Sequence, residues 1–133
     1  MIRICVDVGD LEKAIAFYRD GLGLTPGRRL RNNWAEMLGA DAPIDLLTEA
    51  AGTSPSPNSK ATRSYDRHWT PVHLDFVVTD LDRAVERAKA AGATVDQEIK
   101  ARPYGRIAVL ADPFGNGFCL LEMTGRGYDE MLS

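Results

Sequence analysis

The chain is poor in residues that crosslink, chelate or span a bilayer. It holds two cysteines and two histidines among 133 residues. Cys5 and Cys119 lack any Cys-x-x-Cys spacing, which excludes a zinc knuckle or a disulfide framework and leaves reduced, buried thiols as the expectation. No long apolar run is present. The opening MIRICVDVGDLEK is broken by Arg3 and Asp7, too short and too charged for a secretory core or a membrane span, so the protein is expected in the cytoplasm. Basic excess is missing too: 16 Lys and Arg face 19 Asp and Glu, a net charge of −3, which argues against phosphate neutralisation as the main task. What is present is an ordinary globular mixture, 44% hydrophobic and 26% charged. At this length one core suffices, since folding removes roughly two-thirds of the extended chain's surface from water.

Internal repetition is the most informative pattern. Ile2 to Tyr18, IRICVDVGDLEKAIAFY, aligns with Val72 to Ala88, VHLDFVVTDLDRAVERA, at a constant offset that pairs Val8 with Val78, Asp10 with Asp80, Leu11 with Leu81 and Ala14 with Ala84. Alternation predicts a strand in each copy. Ile2, Ile4, Val6 and Val8 share one face, and Val72, Leu74, Phe76 and Val78 share the equivalent one. A helix follows each strand, capped by Asp10 and Asp80, with Glu12 and Asp82 at the positive end of its dipole and Gly23 and Gly92 as stops. Three further strands are expected per half: Arg28 to Arg31, Trp34 to Leu38 and Ile44 to Leu47, then about Thr94 to Ile99, Arg106 to Leu110 and Phe118 to Met123. Module 1 thus spans about 1–48 and module 2 about 72–126 of a single domain, 1–133. The segment 49–71, with GTSPSPNSKATRS, is a loop by composition, either a lid or a disordered linker.

The doubled unit resembles the glyoxalase/bleomycin resistance/dioxygenase superfamily, also called vicinal oxygen chelate proteins, and within it the glyoxalase-like domain branch. The resemblance is carried by DLEKAIAFYRDGLGL at 10–24, VHLDFVVTDLDRAVERAKAAGATV at 72–95 and VLADPFGNGFCLLE at 109–122. It implies an α+β fold of paired βαβββ modules, a curved eight-stranded mixed sheet or half-barrel with helices outside, enclosing a cleft. Homodimers are common in that superfamily. The resemblance also implies four positions converging on the cleft, where metal-using members carry their ligands. Here they are occupied by Arg3, Asp45, His73 and Cys119.

Arg presents only donors and keeps its proton, so it repels a cation instead of binding one. A lone thiolate beside it suits none of the hard divalent ions. No metal and no cofactor are therefore expected, and Arg3 reads as the partner of Asp45 or Asp75, or as an anion-binding residue. His73 and Asp75 share one strand face and are the candidates for proton transfer, set against a hydrogen-bonded cleft histidine without catalytic duty. Cys119 lacks an activating base other than His73. Trp34, Trp69, Tyr104 and Phe114 are expected to line or cover the cleft, where flat apolar ligands bind between rings. Together these readings imply a metal-independent protein that sequesters a hydrophobic or aromatic small molecule such as an antibiotic, with no nucleic-acid or membrane partner. The alternatives are a glyoxalase-type isomerase or lyase, a metal-free catalyst using His73 and Asp75, and a module whose dimer surface is its function. In the last case the cluster Arg28, Arg29, Arg31 would serve a partner, or else protect a strand edge from aggregation.

Overall fold

A computed structural model describes residues 1–68 and 70–132. Each half builds a four-stranded sheet in the same order. The first sheet runs β1 (Ile4–Val8), β4 (Ile44–Thr48), β3 (Trp34–Leu38), β2 (Thr25–Leu30); the second runs β5 (Leu74–Val77), β8 (Gly117–Met123), β7 (Gly105–Ala111), β6 (Thr94–Arg102). The leading strand is parallel to the last strand of its own half, with Ile4 opposite Ile44 and Leu74 opposite Phe118, while the remaining pairs are antiparallel. The eight strands thus form two mixed sheets. The α+β fold of paired βαβββ modules is the one expected, and no backbone ladder joins β1 to β5 among the described residues, so each module keeps its own sheet.

The two helices follow the same local rules. In α1 (Leu11–Asp20) the Asp10 carboxylate accepts the Lys13 N–H at 3.0 Å, and in α2 (Leu81–Ala90) Asp80 accepts the Arg83 N–H at 3.1 Å. A glycine with positive φ follows each helix, Gly23 at φ +74° and Gly92 at φ +117°, which lets the chain fold back so that Leu24 N–H reaches Tyr18 O and Ala93 N–H reaches Ala88 O, both at 3.0 Å. The helices pack on the core faces of the sheets. Val8, Phe17, Met37, Ile44, Leu46, Leu81, Leu110 and Leu120 are almost wholly buried in one core cluster drawn from both halves.

The halves meet through side chains. Tyr18, on α1, donates its phenol hydrogen to Asp112 Oδ2 at 2.7 Å across the domain. Asp112, in the turn before β8, also accepts Phe114 N–H, Asn116 N–H and Asn116 Nδ2 at 2.8–3.0 Å. Asn116 Nδ2 lies 3.0 Å from the Asp7 carbonyl, and the Phe17 and Phe118 rings meet edge to face at 6.2 Å. Among the described residues no helix is long and apolar enough to cross a membrane.

Candidate functional site

A cavity of about 770 Å³ opens between the leading strands of the two halves. Its apolar wall is built from Ile4, Val6, Leu74, Phe76 and Phe118, with Tyr18 beside them. These residues point toward the core side of their strands. The gap between β1 and β5 leaves Ile4, Val6, Leu74 and Phe76 only partly buried, so core-face residues become cavity lining. Cys5, Asp7 and His73 add polar groups from the opposite strand face, and Asn116 adds an amide.

Residues 49–68 cover this space. Arg63 is the fastening point: its Nε lies 2.8 Å from Asp7 Oδ2, and its Nη1 donates to Thr53 Oγ1 and Ser54 O at 3.1 and 3.2 Å. Backbone bonds from Gly52 N–H to Arg63 O and from Arg63 N–H to Thr53 O, both 2.8 Å, close the loop on itself. Tyr65 donates to the Glu49 carbonyl while its ring packs edge to face on Phe114. These contacts pin the described part of the loop to β1 and to the turn before β8, as a cover over the cavity.

The four positions singled out by resemblance fall into two clusters. Arg3 and Asp45 form the first: Nε to Oδ2 at 2.9 Å and Nη2 to Oδ1 at 2.6 Å, a bidentate pair. Glu36, buried on β3, joins them, accepting Arg3 Nη2 at 2.8 Å. Glu36 also accepts the Arg28 side chain at 2.8 and 3.0 Å and its backbone N–H at 3.0 Å. The Arg28 side chain first, then its backbone N–H, then Arg3, hold the Glu36 carboxyl well below the usual carboxylate range. Gly27 makes this possible, because a Cβ there would sit 2.7 Å from Glu36 Cγ. The signal in the sequence was a charged residue at the centre of a buried strand, which requires a partner.

His73, Asp75 and Cys119 form the second cluster on β5 and β8. His73 Nε2 is 3.1 Å from Asp75 Oδ1, and Asp75 lies opposite Cys119 in the ladder. One ligand atom from each residue lies within 4.8 Å of the others. Burial, then the Asp75 charge, pushes the Cys119 thiol up to about 11, so it is protonated at neutral pH. No hydrogen bond or ion pair joins the two clusters among the described residues.

The donor chemistry does not fit a cation shared by all four positions. The Arg3 guanidinium stands at the first of them and already neutralises Asp45, and it cannot deprotonate to become a ligand. Within the second cluster the set would be one imidazole, one carboxylate and one thiol that must first lose its proton.

Of the residues expected at the cleft, His73 lines the cavity; Arg3, Asp45, Asp75 and Cys119 stand outside its lining. Trp34 begins β3, and Tyr104 stacks on Tyr128 with centroids 5.0 Å apart at the β6–β7 turn, neither touching the cavity. Phe114 is a packing residue in the core. Trp69 lies outside the described residues. The sequence reading missed Tyr18, Arg63 and Phe76. Their distinguishing feature is the seam between halves, and neither periodicity nor composition encodes its width.

Comparison with known proteins agrees with this architecture. Residues 3–121 match the glyoxalase-like domain family. The anthracycline biosynthesis protein DauV of Streptomyces sp. (strain C5) is 35% identical over 116 residues, 86% of this chain. The chain spans only 38% of that relative's length. An uncharacterized protein of Mycobacterium bovis is 35% identical over 127 residues, covering 85% of this chain and 76% of its own length. Among solved structures, the fosfomycin resistance protein FosX of Listeria monocytogenes, with Mn(II) and a dihydroxypropylphosphonic acid, superposes with a TM-score of 0.73 at 20% identity. The superposition covers 100% of this chain and 94% of that one. With the repeated unit, the strand order and these matches in agreement, the chain has the fold of glyoxalase/bleomycin resistance/dioxygenase proteins and belongs to the glyoxalase-like domain family.

Proposed function

We propose that this protein binds and sequesters a small hydrophobic or aromatic molecule without a metal, acting in the cytoplasm as a homodimer. The observation that carries the reading is the covered cavity of about 770 Å³, whose size suits a drug-like ligand and whose wall is aliphatic and aromatic. The Arg3 network supports metal independence, because it places a fixed cation with satisfied carboxylates where a ligand set would have to form. The relationship to a protein of anthracycline biosynthesis makes a flat polycyclic compound the first candidate ligand. Exposed Leu30, Val72 and Val77 supply apolar surface for a second copy.

Titration of the intrinsic tryptophan fluorescence with an anthracycline, beside fosfomycin as a small polar comparator, tests the reading. Saturable quenching by the anthracycline, unchanged after dialysis against a chelator, is the expected result. No saturable response to the anthracycline or to a panel of aromatic antibiotics would overturn it. Light scattering tests the homodimer.

A second reading rests on the His73–Asp75 contact at 3.1 Å. Asp75 orients the imidazole, and His73 reaches the cavity, so a bound molecule with an acidic C–H or O–H would meet an imidazole held by a carboxylate, the arrangement of a general base. Turnover of the bound ligand, lost in His73→Gln with binding retained, would favour this reading over sequestration.

A further inference from the structure

A second cavity of about 370 Å³ lies on the outside of the molecule, between the end of α1 and the start of α2. Its floor is apolar, lined by half-buried Leu22, Phe76 and Val78 over the buried Leu120, in the groove between the two helices above β5 and β8. Its rim is cationic. Arg83 and Arg87 stand one helical turn apart on the face of α2 that borders the opening. Arg87 is partly committed, its Nε donating to the Asp20 carbonyl at 2.7 Å, where it compensates the negative end of α1. The Arg83 guanidinium has no acceptor among the described residues; only its backbone N–H is used, by Asp80. Asp80, the carboxylate on the rim, is occupied as the α2 cap.

We infer that this outer cavity is a binding site for a small organic anion: an aromatic or short aliphatic body on the Phe76–Leu120 floor, with its carboxylate or sulfonate on Arg83. The match is chemical. An apolar floor alone would take any greasy fragment, and an exposed arginine alone would take any anion. A free guanidinium beside a concave apolar floor selects molecules that are both. The volume is sufficient for a bicyclic body. Phe76 also lines the inner cavity, so the two spaces share one residue. An occupant of the outer site therefore presses on a ring that the inner ligand also touches.

The probes are 1-naphthoate and its neutral analogue 1-naphthamide, titrated into the ¹⁵N-labelled full chain and followed by amide shifts. Naphthoate is expected to move Leu22, Val78, Thr79 and Arg83 saturably, and naphthamide to bind about five- to tenfold more weakly, the usual worth of one charge-assisted contact at a half-exposed site. Arg83→Gln should weaken naphthoate by the same factor and leave naphthamide unchanged. Val78→Trp, which fills the floor, should abolish both while the remaining spectrum stays native. The proposal is overturned if the shifts are confined to inner-cavity residues such as Ile4 and Leu47, if the two probes bind equally, or if Arg83→Gln has no effect on naphthoate.

Discussion

Tyr18→Phe removes a single oxygen and tests how the halves are held together. The phenol is buried, Tyr18 being 4% exposed, and donates at 2.7 Å to Asp112, an ionisable group only 2% exposed, so the lost bond is charge-assisted and largely shielded from water. Hydrogen bonds of that kind contribute about 1.5–3 kcal/mol. Asp112 Oδ2 keeps the Asn116 amide at 2.9 Å, so its charge is not left bare, and the expected cost falls at the lower end, about 1.5–2 kcal/mol. For a domain of this size that is a fall in Tm of about 5–8 °C. Asp112→Ala loses all four bonds and strands two turn N–H groups, with an expected cost of about 4 kcal/mol. Urea unfolding reads both, with the slope unchanged if the unfolded ensembles match. There is also a pH signature. Burial first, then the Asp112 charge, raises the Tyr18 phenol well above its usual value near 10. Its folded pKa exceeds the unfolded one, so the contribution is complete below about pH 10 and is lost as pH rises beyond it. Tyr18→Phe should therefore flatten the alkaline fall in stability. A loss under about 0.5 kcal/mol, with the alkaline limb unchanged, would refute the view that this bond clamps the halves.

The Glu36 carboxylate, held low by Arg28 and Arg3, stabilises the fold above its ordinary pKa of 4.5 and loses that contribution as pH falls below it. Glu36→Gln should accordingly be less stable than the parent at pH 7, with the gap closing in acid; a gap independent of pH would contradict the assignment. With Cys119 buried and its thiol pushed up to about 11, a disulfide reagent at pH 8 should label exposed Cys5 first and Cys119 only after unfolding, as mass mapping would show. Equal rates would mean that Cys119 is accessible. Gly115 sits at φ +81°, and a Cβ there would collide with the Asp66 carbonyl. Gly115→Ala should cost at least about 2 kcal/mol and raise proteolysis within 49–68 before global unfolding, because it levers the cover off the turn. Native-like protease resistance of that segment would count against a pinned cover.

The repeat made most of the fold legible. Asp10 and Asp80 cap helices where their spacing placed them, and the parallel pairing of β1 with β4 is copied in β5 with β8. Strand ends were less legible: β6 continues to Arg102, past Ile99, since solvent-facing Lys100 and Arg102 carry no apolar signal. Arg3 and Asp45 were identifiable as neighbours, yet the third partner, Glu36, depends on Gly27 leaving room beside it. The aromatic lining was the least legible part. Alternation assigns Phe76 and Phe118 to a core face, and only the separation of β1 from β5 turns that face into cavity wall. Arg63 was hidden in a stretch whose composition gives no hint of what it grips.

The missing ladder between β1 and β5 has a consequence for how such a protein changes its ligand. Two strands in a ladder are fixed at one spacing and can slip only by whole residues, which turns every side chain over. Here the spacing of the halves is set instead by side-chain packing in the shared core and by contacts such as Tyr18–Asp112, Asn116–Asp7 and Phe17–Phe118. Cavity width is then a continuous quantity, adjustable by single substitutions at the seam while both sheets keep their register. A scaffold built this way can widen or narrow its interior in small steps, without a change of strand register.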